Sequence, residues 1–156
     1  MESTLLHQLE AFIVKAKAAT YVGSGEESPS CRPASHDLQF RAGDFLYLDS
    51  YFGGADFIGE EVVYYKDAPV WAMNYYGRIL EPDMIEAAEA GQIIKQSLSA
   101  MYKEGRFLGG FEHDTGDGVY VDTSAGDVAS FTGREWITRE GVRVYELIYH
   151  GGLIKI

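Results

Sequence analysis

The segment from residue 74 to residue 78 carries the side chains best suited to holding a small ligand. Asn74, Tyr76 and Arg78 alternate along a predicted strand and therefore project from one face, where they present an amide, a phenol and a guanidinium. A guanidinium binds a carboxylate or phosphate through two parallel hydrogen bonds, and tyrosine rings stack on planar groups. Arg32, in a loop upstream, is a second candidate partner for an anion. The alternative is that these residues are hydrogen-bonded side chains of an ordinary half-buried strand.

His36 is a candidate for acid–base chemistry because imidazole normally titrates near neutral pH. It lies in the string Ser35-His36-Asp37, which contains the three residue types of a hydrolase triad. Consecutive residues of an extended chain point to alternate sides, however, whereas a working triad is assembled from separate segments. The string is more typical of a polar turn that enters a strand, with His36 able to act singly.

We expect no metal ion and no cofactor. His113, Asp114 and Asp117 are close in sequence, but their spacing fits no strong metal-binding pattern. Cys31 is the only cysteine, and apart from Arg32 it has no activating neighbour in the sequence. We therefore interpret it as an ordinary thiol.

An internal repeat is the most informative feature of the chain. Residues 57–80 and 131–154 align without a gap and share six identical residues, where chance would supply about one or two. The identical pairs are Phe57/Phe131, Gly59/Gly133, Glu61/Glu135, Val70/Val144, Tyr75/Tyr149 and Gly77/Gly151. The match extends upstream, with one residue inserted, to YLDS at Tyr47 and YVDT at Tyr120. We therefore predict one pseudo-symmetric domain over residues 1–156, with repeats at about 4–80 and 82–156, and a seam where a ligand can bind.

Glu61 and Glu135 occupy equivalent positions of this repeat. If the two halves meet about a twofold axis, their carboxyl groups could face each other, separate in pKa, and perform acid–base chemistry or hold a metal. The alternative is that each glutamate forms an ion pair across its own part of the sheet.

The hydrophobic pattern predicts an α+β fold with the element order α-ββββ-α-ββββ. Helices are predicted over residues 4–18 and 82–103, the second starting at Pro82. Strands are predicted at residues 38–41, 45–51, 57–65, 70–80, weakly near 107–112, and at 119–123, 127–139 and 143–154, while residues 22–36 are predicted as a long loop. Successive strands without strand-helix-strand alternation argue against a parallel sheet. We expect a strongly curved antiparallel sheet with two helices packed on it, in a cystatin-like or TATA-binding-protein-like layout.

Alternation along the last strand of each repeat sorts its side chains into two faces. The predicted core face carries Trp71, Met73, Tyr75 and Ile79 in the first copy, and Tyr145, Leu147, Tyr149 and Leu153 in the second. The opposite face carries Asn74, Tyr76 and Arg78, and then Glu146, Ile148 and His150. The copies agree on the core face and differ on the other. This difference indicates either an asymmetric role or drift at solvent-facing positions.

The composition argues against several classes of partner. A net charge of −11 and a pI near 4.7 disfavour direct binding to nucleic acid or to anionic membrane surfaces. No apolar run approaches the roughly 20 residues of a membrane span, and no signal-peptide pattern is visible. A single cysteine allows no internal disulfide, so we expect a reducing, cytoplasmic location.

The chain also resembles a known family. The strings SCRPASHDLQFRAGDFLYLDSYFGG, GEEVVYY, PVWAMNYYGR and VYELIYHGG resemble an uncharacterised bacterial domain family over nearly the whole length. Its members stand alone or form the C-terminal part of regulators that begin with an XRE-type helix-turn-helix. The resemblance implies a sensor-like or effector-binding module. Because this chain has no helix-turn-helix of its own, any role at DNA would need a partner.

We therefore expect a small-molecule-binding module for an anionic or planar ligand. Its predicted binding residues are Arg32, His36, Asn74, Tyr76, Arg78 and His150, with Glu61 in the same cleft. One alternative is a small hydrolase or isomerase that uses His36 or Glu61 as general base. Another is an acidic interaction or inhibitor protein that masks a basic surface. Exposed aromatic strand faces also leave a homodimer open.

Overall fold

A computed structural model describes residues 1–23 and 26–155. Helix α1 is Ser3–Lys17 and continues as a π-helical segment, Ala18–Val22, and helix α2 is Ala87–Lys103. The strands are β1 Glu26–Ser28, β2 His36–Ala42, β3 Phe45–Gly53, β4 Phe57–Tyr65, β5 Ala68–Ile79, β6 Phe111–Asp114, β7 Val119–Asp127, β8 Ser130–Arg139 and β9 Val142–Leu153. The fold is therefore α+β, as predicted. In the described part of the chain, no helix is long and apolar enough to cross a membrane.

The strands form one open antiparallel sheet in the order β1-β2-β3-β4-β5-β9-β8-β7-β6. Strands β2 to β5 pair as successive hairpins, strands β6 to β9 do the same, and the two halves meet where β5 pairs with β9. In that central pair Tyr75 lies opposite Tyr149, which is the equivalent residue of the second repeat window. The seam between the halves is therefore a pairing of equivalent strands.

Local irregularities also recur at equivalent positions. The β4–β5 turn Lys66–Asp67 and the β8–β9 turn Glu140–Gly141 each place two consecutive residues at positive φ. That geometry is typical of type I′ hairpins, whose twist matches the twist of the flanking strands. The register shifts once in each half as well, between Val63 and Tyr64 and at residues 137 and 138.

One hydrophobic core fills the space between the helices and one face of the sheet, the inner face. Of the predicted core residues, Trp71, Met73, Tyr75, Tyr145, Leu147 and Tyr149 are buried, while Ile79 and Leu153 are partly buried against the core. Phe12 of α1 stacks on Phe45 of β3 with 4.9 Å between ring centroids, which fixes α1 on this face. The opposite, outer face exposes Asn74, Tyr76, Arg78, Ile148 and His150. The predicted division into two faces is confirmed.

Four glycines make room for aromatic rings on the inner face. A Cβ added at any of them would lie within 3.0 Å of an aromatic side chain from a neighbouring strand. The pairs are Tyr75 over Gly59, Tyr149 over Gly133, Phe57 over Gly77 and Phe131 over Gly151. These contacts give a packing reason for most of the identities in the repeat.

Several predicted boundaries are wrong. Strand β7 extends to Asp127 and β8 begins at Ser130, so the turn between them lies later than predicted. Helix α2 begins at Ala87 rather than at Pro82, because Glu86 and Glu89 form a capping box at that point. The weak strand near residues 107–112 is β6, Phe111–Asp114, and Phe107 is instead buried in the core. The predicted loop over residues 22–36 contains strand β1, which pairs with β2 although it has no apolar pattern. Residues 24 and 25 of that loop lie outside the described residues.

Candidate functional site

Two adjacent cavities lie between the inner face and the helices. The large cavity has a volume of about 350 Å³ and is bounded by the π-helical segment, the β3–β4 loop and α2. The small chamber has a volume of about 50 Å³ and is lined mainly by buried side chains. Tyr21, Phe57 and Tyr75 line both, so the two spaces share a wall.

Four buried carboxyl groups surround these spaces. Asp49, Glu61, Asp122 and Glu135 are each 3% to 5% exposed. Asp49 pairs in register with Glu61 on the neighbouring strand, and Asp122 pairs in the same way with Glu135. Asp49 lines the large cavity, and the other three line the small chamber. Each half of the sheet therefore contributes one Asp–Glu pair to the site.

Lys17, the last residue of α1, is the only buried lysine or arginine among the described residues. Its ammonium donates to both carboxyl oxygens of Glu61, at 2.9 and 2.6 Å. It also lies 5.7 Å from the centroid of the Phe107 ring, within reach of a cation–π attraction. One buried cation therefore accompanies four buried carboxyl groups in the described part of the chain, and it is already paired with one of them.

Two tyrosine–aspartate pairs occupy equivalent places in the two halves. The Tyr75 hydroxyl donates to Oδ1 of Asp49 at 2.7 Å, and the Tyr149 hydroxyl donates to Oδ1 of Asp122 at 2.8 Å. The second oxygen of Asp122, Oδ2, is buried and has no hydrogen-bond partner among the described residues. The two pairs thus share a geometry but leave one oxygen unsatisfied in the second half.

Glu135 differs from Glu61 in its partners. It accepts hydrogen bonds from the hydroxyl of Tyr120 and, at 3.0 Å, from that of Tyr145. Neutral hydroxyls satisfy its oxygens without cancelling its charge. Because Glu61 pairs with Lys17 of α1, neither glutamate forms the alternative considered above, an ion pair across its own part of the sheet.

Burial moves the pKa values of three carboxyl groups toward neutrality. Burial, and secondarily the charge of Glu61, raises the pKa of Asp49 to about 7. Burial also raises the pKa of Glu135 to about 7 and that of Asp122 to about 6, although tyrosine hydrogen bonds and the Lys17 charge oppose both shifts. The site can therefore bind or release protons near physiological pH.

The outer face collects four of the predicted binding residues. Arg32, Asn74, Tyr76 and His150 line a groove of about 570 Å³ that crosses β4, β5 and β9, the outer groove. The Arg32 guanidinium lies 4.7 Å from the ring centroid of Phe52, which fixes it at the rim. This surface offers a cation, an amide and aromatic faces, as the alternation of residues predicts.

The other predicted residues lie elsewhere. His36 is exposed at the start of β2 and does not line the outer groove. Arg78 donates to Glu146 at 2.9 Å and is paired on the surface. Glu61 faces the inner cavities, so the sheet separates it from His150. The predicted cleft that joins His36, Glu61 and His150 therefore does not form, because alternate strand residues point to opposite faces.

Ser35 and Asp37 stabilise the loop before β2 rather than assisting His36. Asp37 accepts hydrogen bonds from Ser35 Oγ at 2.7 Å, from Ser50 Oγ at 2.9 Å and from the Cys31 backbone N–H at 3.0 Å. Burial raises the pKa of Asp37, but the interactions with the Cys31 side chain, Ser35, the Cys31 backbone and Ser50 outweigh burial and lower it to about 2. The geometry fits the structural interpretation of this string.

The sequence reasoning missed Lys17, Asp49 and Asp122. The signal for the aspartates was present, because YLDS and YVDT place an aspartate at the same inward position of both repeats. A charged residue kept at an inward strand position is unusual unless it is paired or hydrogen-bonded. Lys17 gave no such signal, since a lysine at the end of a helix is normally solvated. Across residues 1–23 and 26–155, no three His, Cys, Asp or Glu side chains are arranged to hold a metal ion.

Comparison with known protein families gives a match over most of the chain. A family model described as "Domain of unknown function (DUF5680)" matches residues 49–154, which is more than half of the chain. No curated protein and no solved structure matches. The matched range includes both Asp–Glu pairs, whereas α1 and Lys17 lie outside it.

Proposed function

The chain belongs to the DUF5680 family, and we propose that it is a small-molecule-binding module whose ligand is an organic cation held in the large cavity. The observation that carries the proposal is the excess of buried carboxyl groups, four against the one buried ammonium, Lys17, among the described residues. Lys95 of α2 also lines the large cavity, but from an exposed position where water screens its charge. Lys17 is paired with Glu61. Asp49, in the wall of the large cavity, forms no ion pair within the described residues and has only a tyrosine hydroxyl as donor.

The walls of the large cavity suit an amine carried on a flat or apolar body. Tyr51, Phe57, Tyr75 and Tyr145 line it. Aromatic faces attract cations and stack on planar groups. The volume of about 350 Å³ lies at the lower end of the range of small-molecule pockets, roughly 300–1,000 Å³. Asp49 then supplies the charge, and the rings supply most of the contact area.

The raised pKa of Asp49 makes cation binding depend on pH. A positive group beside Asp49 favours the ionised carboxylate and so lowers its pKa from about 7. At pH 6 most copies of Asp49 must release a proton before the cation gains that interaction, whereas at pH 8 few must. Affinity for an amine that stays protonated should therefore increase from pH 6 to pH 8.

Isothermal titration calorimetry with benzylamine and benzyl alcohol tests the proposal, since the two probes have nearly the same shape and differ in charge. We expect benzylamine to bind and the alcohol to bind at least about tenfold more weakly, the value of a hydrogen bond to a charged group. Asp49→Asn should remove the preference for the amine. Asp44→Asn, at an exposed surface position paired with Lys66, is the matched control and should keep it. Equal binding of the two probes would refute a cation site.

A second candidate, a site for an anionic or planar ligand, is favoured by the outer groove. Arg32, Asn74, Tyr76 and His150 converge there, whereas His36 and Arg78 are not in its lining. Benzoate is a suitable probe because it is both planar and anionic. Its addition should shift the side-chain resonances of Asn74 and His150 in an NMR titration, and Arg32→Gln should weaken the effect. Shifts confined to the inner face, or none at all, would exclude this site.

An acid–base enzyme is the third candidate, and the pKa of Asp49 favours it. A general base works best with a pKa near the working pH, and Asp49, at about 7, lines a cavity large enough for a substrate. Asp49 is therefore better placed than the sequence-based candidates His36, which is exposed, and Glu61, which is bound to Lys17. Turnover of an ester or ketone that survives Asp49→Asn but is lost in His36→Ala would reverse this order.

Further proposals concern origin and assembly. The symmetric strand order and the matched turns support descent of both halves from a duplicated unit.

The outer face carries three exposed apolar side chains that lie side by side across β4, β5 and β9, namely Ile58, Tyr76 and Ile148, and this supports a homodimer through that face. Light scattering on wild type and Tyr76→Glu tests this. A role in a bacterial XRE-type regulator rests on the resemblance alone. A cytoplasmic location rests on the single cysteine, the exposed Cys31.

A further inference from the structure

We propose that the small chamber binds a second ammonium group, so that the ligand is a linear diamine with one end at Asp49 and the other at Asp122. This inference rests on the proposed cation site in the large cavity and extends it to a substrate class. It depends on an unsatisfied oxygen, on the volume of the chamber, and on the side chains that the two cavities share.

Asp122 provides the acceptor. Its side chain is 3% exposed and lines the small chamber. Oδ1 is occupied by the Tyr149 hydroxyl, while Oδ2 has no partner among the described residues. A buried carboxyl oxygen without a donor costs free energy, and native proteins rarely leave one without a partner. A ligand that donates a hydrogen bond at this point removes that cost.

The other acceptors of the chamber are already occupied. Both oxygens of Glu61 accept from Lys17, and the oxygens of Glu135 accept from Tyr120 and Tyr145. The chamber holds about 50 Å³, and a water molecule takes up about 30 Å³ in the liquid. There is thus room for one small donor group and one free oxygen to receive it.

The charge balance selects an ammonium for that group. At pH 7.5 Asp122 lies above its pKa of about 6 and is largely ionised, so a water molecule would satisfy Oδ2 but leave that charge without a paired cation, since Lys17 is paired with Glu61. A coordinated metal needs several ligands at once, and the described residues offer no group of three. An ammonium needs only hydrogen-bond acceptors, and the rings of Tyr102 and Phe107 in the chamber wall also attract it.

The shared wall and the symmetry of the halves indicate two ends on one molecule. Tyr21, Phe57 and Tyr75 line both spaces, so these side chains form the wall between them, and a shift of the wall would let an alkyl chain reach from one cavity to the other. Asp49 and Asp122 are equivalent residues, and each carries an equivalent tyrosine donor. Two like carboxyl groups, one in each space, match a molecule with two like cations at the ends of one chain.

Calorimetry with 1,ω-diaminoalkanes of four to eight carbons, each compared with the monoamine of equal length, tests the inference at pH 7.5. At the best chain length the diamine should bind at least about tenfold more tightly than its monoamine. In Asp122→Asn the ratio of the two affinities should fall toward one, whereas Asp44→Asn should preserve it. Equal affinities at every length would overturn the diamine while leaving the cation site intact. Absence of binding by every amine would overturn both.

A second readout does not depend on a variant that must fold. In wild type, the pKa of Asp122, raised to about 6 by burial, can be followed by NMR of its carboxyl carbon. The bound diamine should lower that pKa by at least about one unit, since an opposite charge in contact favours the ionised form. The monoamine should leave it unchanged. A pKa for Asp122 that responds equally to both ligands would contradict a second ammonium in the chamber.

Discussion

Replacement of Lys17 by methionine is the sharpest test of how the buried site is held together. Methionine retains most of the side-chain volume and removes the ammonium, so Glu61 loses both of its hydrogen bonds in a site where its side chain is 4% exposed. Removing one partner of a buried ion pair costs about 3–5 kcal/mol, because the remaining charge is left unsolvated. For a protein of this size a loss of about 4 kcal/mol lowers Tm by about 8–16 °C.

The cost should depend on pH in a definite direction. An unpaired, buried Glu61 avoids its charge by taking up a proton, which is easy at pH 5 and costly at pH 8. Urea denaturation of wild type and Lys17→Met at both values should therefore give the larger difference in free energy of unfolding at pH 8. Adding Glu61→Gln to Lys17→Met removes the unpaired carboxylate. The double variant should recover part of the lost stability, and its loss relative to wild type should be nearly the same at pH 5 and pH 8.

A surface lysine supplies the matched control. Lys66 pairs with Asp44 at 3.7 Å with both side chains largely exposed, and such pairs contribute about 0–1 kcal/mol. Lys66→Met should therefore change stability little at either pH. If Lys17→Met and Lys66→Met proved equally mild at pH 8, the inner face would have to be solvated, and the cavity proposals built on buried charge would fall with it.

Two further predictions concern the buried acids and the aromatic packing of the inner face. The free energy of unfolding should fall as pH rises from about 4 to about 7. In the folded state Asp49, Asp122 and Glu135 have pKa values of about 6 to 7 and keep protons that the unfolded chain releases near pH 4. Asp49→Asn should make this decrease shallower in urea titrations, and an unchanged slope would contradict the raised pKa of Asp49. Gly133→Ala should lower Tm because the added Cβ would overlap the Tyr149 ring. Gly91 lies in α2 with open space around it, so Gly91→Ala should raise stability by up to about 1 kcal/mol. Equal effects of the two variants in thermal melts would refute the packing of Tyr149 over Gly133.

Local patterns in the sequence determined the elements and their faces. Period-two alternation placed Trp71 and Tyr75 inside and Asn74 outside, because successive strand side chains must point to opposite faces of a sheet. The repeat also indicated which residues of the two halves are equivalent. The start of α2, which Glu86 caps, was predicted too early in the chain. These features were predictable because they depend on residues close to one another in the chain.

Only the tertiary structure decided what the inner site contains. Lys17 meets Glu61 across 44 positions of sequence because α1 docks on the inner face, and no local pattern encodes that docking. The pairing of β5 with β9 brings the two Asp–Glu pairs onto one face, where burial rather than residue type raises the pKa of Asp49. The same pairing turned Arg78 toward Glu146. Long-range packing sets which charges are desolvated together, and that desolvation gives this protein its candidate chemistry.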